Sequence, residues 1–166
     1  MSLLAIDFLF TAMQVTTGIF LRSTSSKDDI DFYDAIIFIV GHDDAGSTGF
    51  IVNRRFHRAL NELEQYQQGR AFPIYHGGPV AGEKLYFIHK RPDLIVDGSS
   101  ISNTVFLGGD FETAVAAVND DLLAADNVKI FIGYCGWDHG ELEAEIADGH
   151  WETTHLSIEQ LFSDSP

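Results

Sequence analysis

Between residues 133 and 151 the sequence reads GYCGWDHGELEAEIADGHW, a stretch that collects the chain's one cysteine and both of its tryptophans among a run of acids. Cys135 with His139 four residues on has the spacing of a thiol nucleophile and its base. A reactive thiol needs a positive environment that favours the thiolate, whereas Asp138, Glu141 and Glu143 are its neighbours in the chain. A small buried side chain at a tight turn is therefore expected at Cys135. His139-Gly140-Glu141 has the H-x-E order of zinc deaminases, but no P-C-x-x-C follows to complete a metal site. His139 and Glu143 alone are too few ligands, so no metal and no cofactor is expected. His42 and His76 each end a predicted strand beside a glycine-rich turn. An enzymatic reading would be a hydrolase using these two histidines with acids of the 138–145 helix. Gly77–Gly78 and Gly108–Gly109 match neither a P-loop nor a dinucleotide fingerprint. Asp110 and Glu112 would also occupy the helix N-terminus that a phosphate needs.

Those side chains must be positioned by elements that the periodicity predicts. Apolar and β-branched runs at 16–22, 34–41, 50–53, 72–80, 84–90, 94–98, 103–109 and 128–134 read as strands, with 34–53 as a hairpin. Helices are predicted over 58–69, 110–125 and about 139–148, followed by HWETTHL (150–156) and a last short turn that Ser157 and Gln160 cap. For the helix at 139–148, Asp138 is the predicted N-cap, with Glu141 three residues on, and Gly149 is the C′ residue. Leu142 and Ile146 face the core, while Glu141 and Glu145 stand four apart as a like-charge pair. They are predicted to form the outward face, where a ligand or basic partner would bind. Trp137 and Trp151 flank the helix and are expected to clamp it by burying an indole at each end. Strands early and helices late make a mixed α+β domain.

Length and composition bound the rest. A chain of 166 residues with 45% hydrophobic and 21% charged residues is one globular domain, 1–166, large enough for a real core. A single cysteine excludes an intramolecular disulfide and fits a reducing compartment. The opening MSLLAIDFLFTAMQ lacks a basic residue before its apolar run and carries Asp7 within it. It reads as a segment packed on the domain rather than a signal peptide. No run reaches the length of a membrane span, and the cytoplasm is the expected location. The net charge of −15 is uneven: residues 1–91 carry ten acids against nine Lys or Arg, and 92–166 carry fifteen against Lys129 alone. Duplex DNA binding requires a basic face, and only NRRFHR at 53–58 offers a cluster. Nucleic acid is thus an unlikely partner class on charge, and a solvated acidic surface is expected.

In order and spacing, GHDDAGSTGFIVNR (41–54), YHGGPV (75–80) and FIGYCGWDHGELEAEI (131–146) resemble the signature blocks of the bacterial YqgE/AlgH family. The resemblance runs from about Gly18 to Trp151. It implies an α+β domain with a mixed, branched sheet around a small closed barrel, flanked by helices, in a cytosolic bacterial protein. It brings no reaction; some members carry a transcriptional-regulator label without a recognisable DNA-binding motif. Positions matching the family include His42, Asn53, Gly77, Gly78, Gly133, Trp137, Glu143 and Glu145. The chain departs from it at Arg55, where Pro is usual, at Cys135, where Ala or Ser is usual, and at Glu141, where Gln is usual. The leading expectation is a non-catalytic regulatory module that binds a partner protein or small ligand. Its candidate binding residues are His42, Asn53, His76, Trp137, Glu141 and Glu145. The hydrolase is the alternative, and a transcriptional regulator the third.

Overall fold

The apolar run around Ile130 continues further than its first seven residues suggest, and the strand it makes organises the sheet. The structure, a computed structural model, describes residues 14–164 and 166; the expected packing of the N-terminal segment lies outside the described residues. Nine strands are present among them: β1 (Phe20–Ser23), β2 (Ile36–Asp43), β3 (Gly46–Ile51), β4 (Ile74–His76), β5 (Val80–His89), β6 (Ser99–Ser100), β7 (Phe106–Leu107), β8 (Val128–Asp138) and β9 (Trp151–Thr154). Three short helices accompany them, α1 (Phe111–Asn119), α2 (Glu141–Ala147) and α3 (Ile158–Phe162).

The sheet runs β6-β7-β5-β8-β3-β2-β1-β9, with β4 attached to β8 off this path. Every pairing is antiparallel except β4 with β8. One edge of β8 carries β5; the other carries β4 against Ile130–Ile132 and then β3 against Cys135–Asp138. The small closed barrel implied by the family resemblance is not formed. The sheet is open, ending in β6 on one side and β9 on the other. A two-residue β6 offers few backbone groups for closure, and β4 takes up part of the β8 edge along which a continuous sheet would curl.

Other expectations shift for local reasons. Residues 58–69 form two 3₁₀ turns, Leu60–Glu62 and Glu64–Tyr66, instead of an α-helix. Leu60, Leu63 and Tyr66 recur strictly every third residue, which is the 3₁₀ period, and extended backbone at Leu63 separates the turns. Residues 94–98 are not a strand: the amides of Leu94 and Ile95 turn back onto the Arg91 carbonyl, and Ile95 is buried in that turn. The predicted 103–109 strand shrinks to Phe106–Leu107, and the 110–125 helix stops at Asn119. The β2–β3 hairpin and the Ser157–Gln160 capping box form as the sequence predicts.

Alternation along the central strands sorts the core into two faces. Ile36, Phe38, Val40, Phe50 and Val52 join Phe131, Leu161 and Phe162 in one cluster. Ile37, Ile39 and Ile51 join Cys135, Trp137 and Trp151 in another. Within β8 the parity reverses midway. Ile130 and Ile132 pack with α1 while Phe131 stacks on Phe50 at 4.4 Å, yet beyond Gly133 it is the odd-numbered Cys135 and Trp137 that turn away from Phe50. The reversal falls at Gly133, at φ +72°, opposite the stretch of β5 between Val80 and Leu85 where the register shifts. A Cβ there would lie 2.4 Å from the Gly78 carbonyl oxygen, and one on Gly77 would lie 2.3 Å from the Gly133 carbonyl oxygen. Gly133→Ala is therefore expected to lose about 3 kcal/mol or more, from left-handed strain plus overlap. The measurement is the urea midpoint against the parent chain.

Candidate functional site

The α2 corner gathers several of the residues singled out by sequence. β8 ends at Asp138, Gly140 at φ +75° turns the chain, and α2 begins at Glu141. Asp138 is thus the end of a strand and not the helix N-cap. Half of the predicted capping box survives, since Glu141 Oε2 accepts the Asp138 amide at 2.8 Å. Gly149, at φ +81°, closes the helix as C′: its amide donates to Ile146 and that of His150 to Glu145, the two bonds of a Schellman motif. Trp137 and Trp151 are buried, with ring centroids 6.0 Å apart and planes at 83°.

Glu145 joins these two rings. A single oxygen, Oε2, accepts the indole N–H of Trp137 at 2.9 Å and that of Trp151 at 2.8 Å. The expectation that Glu145 faces outward is corrected: its carboxylate turns into the corner between the two indoles. Spacing carried the signal, because Leu142, Glu145 and Ile146 stand at i, i+3 and i+4, on the inward stripe. Two buried indoles each in need of an acceptor pointed the same way. Glu141 is exposed. Glu145→Ala, which strands two indole donors, is expected to cost about 2–4 kcal/mol, and Glu145→Gln, which keeps an acceptor, about 1 kcal/mol or less. Thermal and urea unfolding of the two variants checks the order.

His42 lies beside this corner but meets a different acid. Its Nδ1 is 2.9 Å from Ser47 Oγ, and its Nε2 is 3.6 Å from Glu143 Oε1 on α2. With Ser47 and Trp137 it lines a small cavity of about 230 Å³. Asn53 is elsewhere, accepting the Ile36 amide at 2.9 Å and donating to the Asp34 carbonyl at 2.8 Å. It fastens the start of β2. His76 pairs level with Ile132, whereas His42 and its partner Ser47 lie level with Trp137. At about 3.3 Å per residue those levels are roughly 15 Å apart, so His42 and His76 do not converge. The buried Nδ1 of His76 has no hydrogen-bond partner among the described residues. Cys135 is buried, and burial pushes its thiol up to about 12; desolvation, more than nearby acids, keeps it protonated.

The largest cavity described, about 550 Å³, is lined from five strands and the turn into α1. Val40, Phe50, Tyr86 and Tyr134 come from the sheet, and Leu107 and Phe111 from either side of Gly108–Gly109. None of its lining residues carries a charge. Tyr134 reaches it because the left-handed step at Gly133 turns it to the Phe50 side. The Gly108 turn is held by a histidine that sequence reasoning missed. His89, fully buried, accepts the Arg91 amide at Nδ1, so Nε2 donates to the Gly108 carbonyl at 3.0 Å. Burial lowers its pKa and keeps it neutral.

Lys129 was also missed except as a count of charge. It is 1% exposed in mid-strand, and donates to the carbonyls of Leu161 and Ser163 at 2.9 and 3.0 Å. Burial lowers its pKa to about 7, against an Asp164 charge that raises it and an Arg55 charge that lowers it further. Above pH 7 the unfolded chain, with a lysine value of about 10.4, binds more protons than the folded one, so stability rises with pH. Cys135 opposes this above about 8.5, where the unfolded thiol ionises. Stability should climb between pH 7 and about 8.5, and Lys129→Met should flatten that limb. Urea titrations across the window read it.

Comparison with known proteins places this arrangement. The AlgH-like family profile matches residues 20–166. The UPF0301 protein of Chlorobaculum tepidum is 31% identical over 151 residues, covering 89% of this chain and 79% of that protein. Its counterpart in Chlorobaculum parvum is 30% identical with the same coverage. Among solved structures, the solution structure of the AlgH protein from Pseudomonas aeruginosa superposes with a TM-score of 0.72 at 24% identity, covering 93% of this chain and 87% of that one. The crystal structure of protein DIP2367 from Corynebacterium diphtheriae gives 0.69 at 18%, covering 96% and 87%. The likeness to those two structures is one of fold. On the family match and the bacterial relatives together, the chain belongs to the AlgH-like family.

Proposed function

We propose that this chain is a non-catalytic binding module of the cytoplasm, whose occupant is a small, uncharged, largely apolar molecule held in the aromatic groove. The observation that carries the reading is the groove itself: about 550 Å³, walled by Phe50, Tyr86, Phe111 and Tyr134, with no charged lining. That volume is within the ordinary range for small-ligand sites, roughly 300–1,000 Å³. An anion would enter without a cation to receive it, in a chain of net charge −15. An uncharged ligand meets no such opposition. The fixed Gly108 turn and the packed aromatics supply a largely preformed surface, which reduces the ordering cost of binding.

The catalytic alternative is weakened by geometry. Of its groups, Glu145 is bonded to two indoles, and His42 and His76 stand at different levels of the sheet. One arrangement does favour it, the row Ser47–His42–Glu143 beside the small cavity. Covalent labelling of Ser47 by a fluorophosphonate, abolished by His42→Ala, would displace the binding reading. Duplex DNA fits less well. Arg54 donates to the carbonyls of Asp31 and Tyr33, and Arg55 is paired with Asp164, so two arginines of the 53–58 cluster are already engaged.

The test is titration with a neutral solvatochromic dye. Saturable fluorescence is expected with the parent chain. Leu107→Trp, which fills the groove from its half-buried flank, is expected to weaken binding about tenfold, the effect of about 1.4 kcal/mol. Unsaturable fluorescence, or identical titrations of parent and variant with the melting temperature unchanged, would end the groove proposal.

A further inference from the structure

A second polar centre lies away from the groove, beneath the C-terminal tail. Its floor is Tyr75 of β4 and Lys129 of β8, 3% and 1% exposed. The Lys129 ammonium stands 4.0 Å from the centre of the Tyr75 ring, and the Arg55 guanidinium 5.7 Å from the same centre. Two cations gathered on one ring repel each other unless an anion lies with them. The anion is Asp164, beyond α3. Its Oδ1 accepts the Tyr75 hydroxyl at 2.7 Å and the Arg55 guanidinium. The Tyr75 bond first, then the charges of Arg55 and Lys129, hold its carboxyl below the usual range.

The donors and the acceptor differ in how they are built in. Tyr75 and Lys129 are fixed in the sheet, and Arg55 is tied to it by a bridge to Tyr75. Asp164 belongs to a tail, and its side chain is 67% exposed. The Arg55 guanidinium and the Tyr75 hydroxyl therefore converge on a carboxylate that can leave without dismantling the core, with the Lys129 charge close enough to favour an anion there. Arg55 presents a planar fork suited to such an oxygen pair. We propose that Arg55, Tyr75 and Lys129 form a carboxylate-binding site that Asp164 fills from within the chain, and that a small carboxylic acid binds there in its place. Asp164 Oδ1 stands in for one oxygen of that ligand. A tethered competitor acts at an effective concentration in the millimolar range, so the intact tail masks the site from a free carboxylate of similar strength.

The experiment is an amide and arginine side-chain NMR titration of full-length Asp164→Ala with sodium acetate, below pH 7 where Lys129 is charged. Sodium chloride at equal ionic strength is the control. The variant should show saturable shifts at Arg55, Tyr75 and Lys129 with a millimolar dissociation constant, about tenfold tighter than the parent chain. Adding Arg55→Met should remove them. Asp164→Asn gives a second variant with the side-chain volume kept, for which the same contrast with the parent is expected. Absence of saturable shifts in both variants would overturn the proposal. So would equal binding by the parent, or indifference to Arg55→Met. Tighter binding of inorganic phosphate than of acetate would overturn the carboxylate assignment.

Discussion

The close approach of Gly77–Gly78 to the left-handed step at Gly133 is the constraint on which the rest of the structure depends. Here two segments touch backbone to backbone: a Cβ on Gly78 would lie 2.2 Å from the Tyr134 carbonyl carbon. The left-handed step at Gly133 reverses which face of β8 each later side chain occupies. Phe131 and Tyr134 thereby share one face, while Cys135 and Trp137 turn to the other. Without that step Tyr134 would be lost to the groove and Trp137 would be carried away from α2. The groove and the tryptophan corner are thus two products of one backbone irregularity.

Charge is handled in two opposite ways around this frame. At the α2 corner one carboxylate satisfies two indoles, so an acid is bound by neutral donors in a partly buried setting. Under α3 two cations are gathered on a tyrosine ring, Arg55 paired with a carboxylate from the tail and Lys129 held by two backbone carbonyls. The first arrangement places an acid where a sequence reading assigns solvent. The remaining acids of residues 92–166 account for a strongly negative surface, which favours solubility and resists anionic partners.

How much of this was legible depends on the range of the interaction. The β2–β3 hairpin, the Ser157–Gln160 box and the Gly149 stop are local, and the sequence carries them. Buried placement of Cys135 was legible too, though its cause is desolvation rather than neighbouring acids. What failed required knowing a distant partner. The lysine at 129 makes sense only with carbonyls from Leu161 and Ser163, and although spacing points Glu145 inward, its second indole, Trp151, arrives only through β9. The open sheet depends on β4 taking part of one edge of β8, a long-range choice with no local pattern. His42, Trp137 and Glu145 were brought close to α2, but Asn53 and His76 were drawn elsewhere by backbone bonds and strand level.

The central claim is that β8 acts as one cooperative strand on both sides of Gly133. Native-state hydrogen exchange along it is the most direct measurement, because the slowest amides report the global opening. The account predicts that the hydrogen-bonded amides at Ile130–Ile132 and those at Cys135–Trp137 exchange with the same highest free energy and the same denaturant dependence. Exchange of the second group through a separate, cheaper opening, with the first group unaffected, would contradict it.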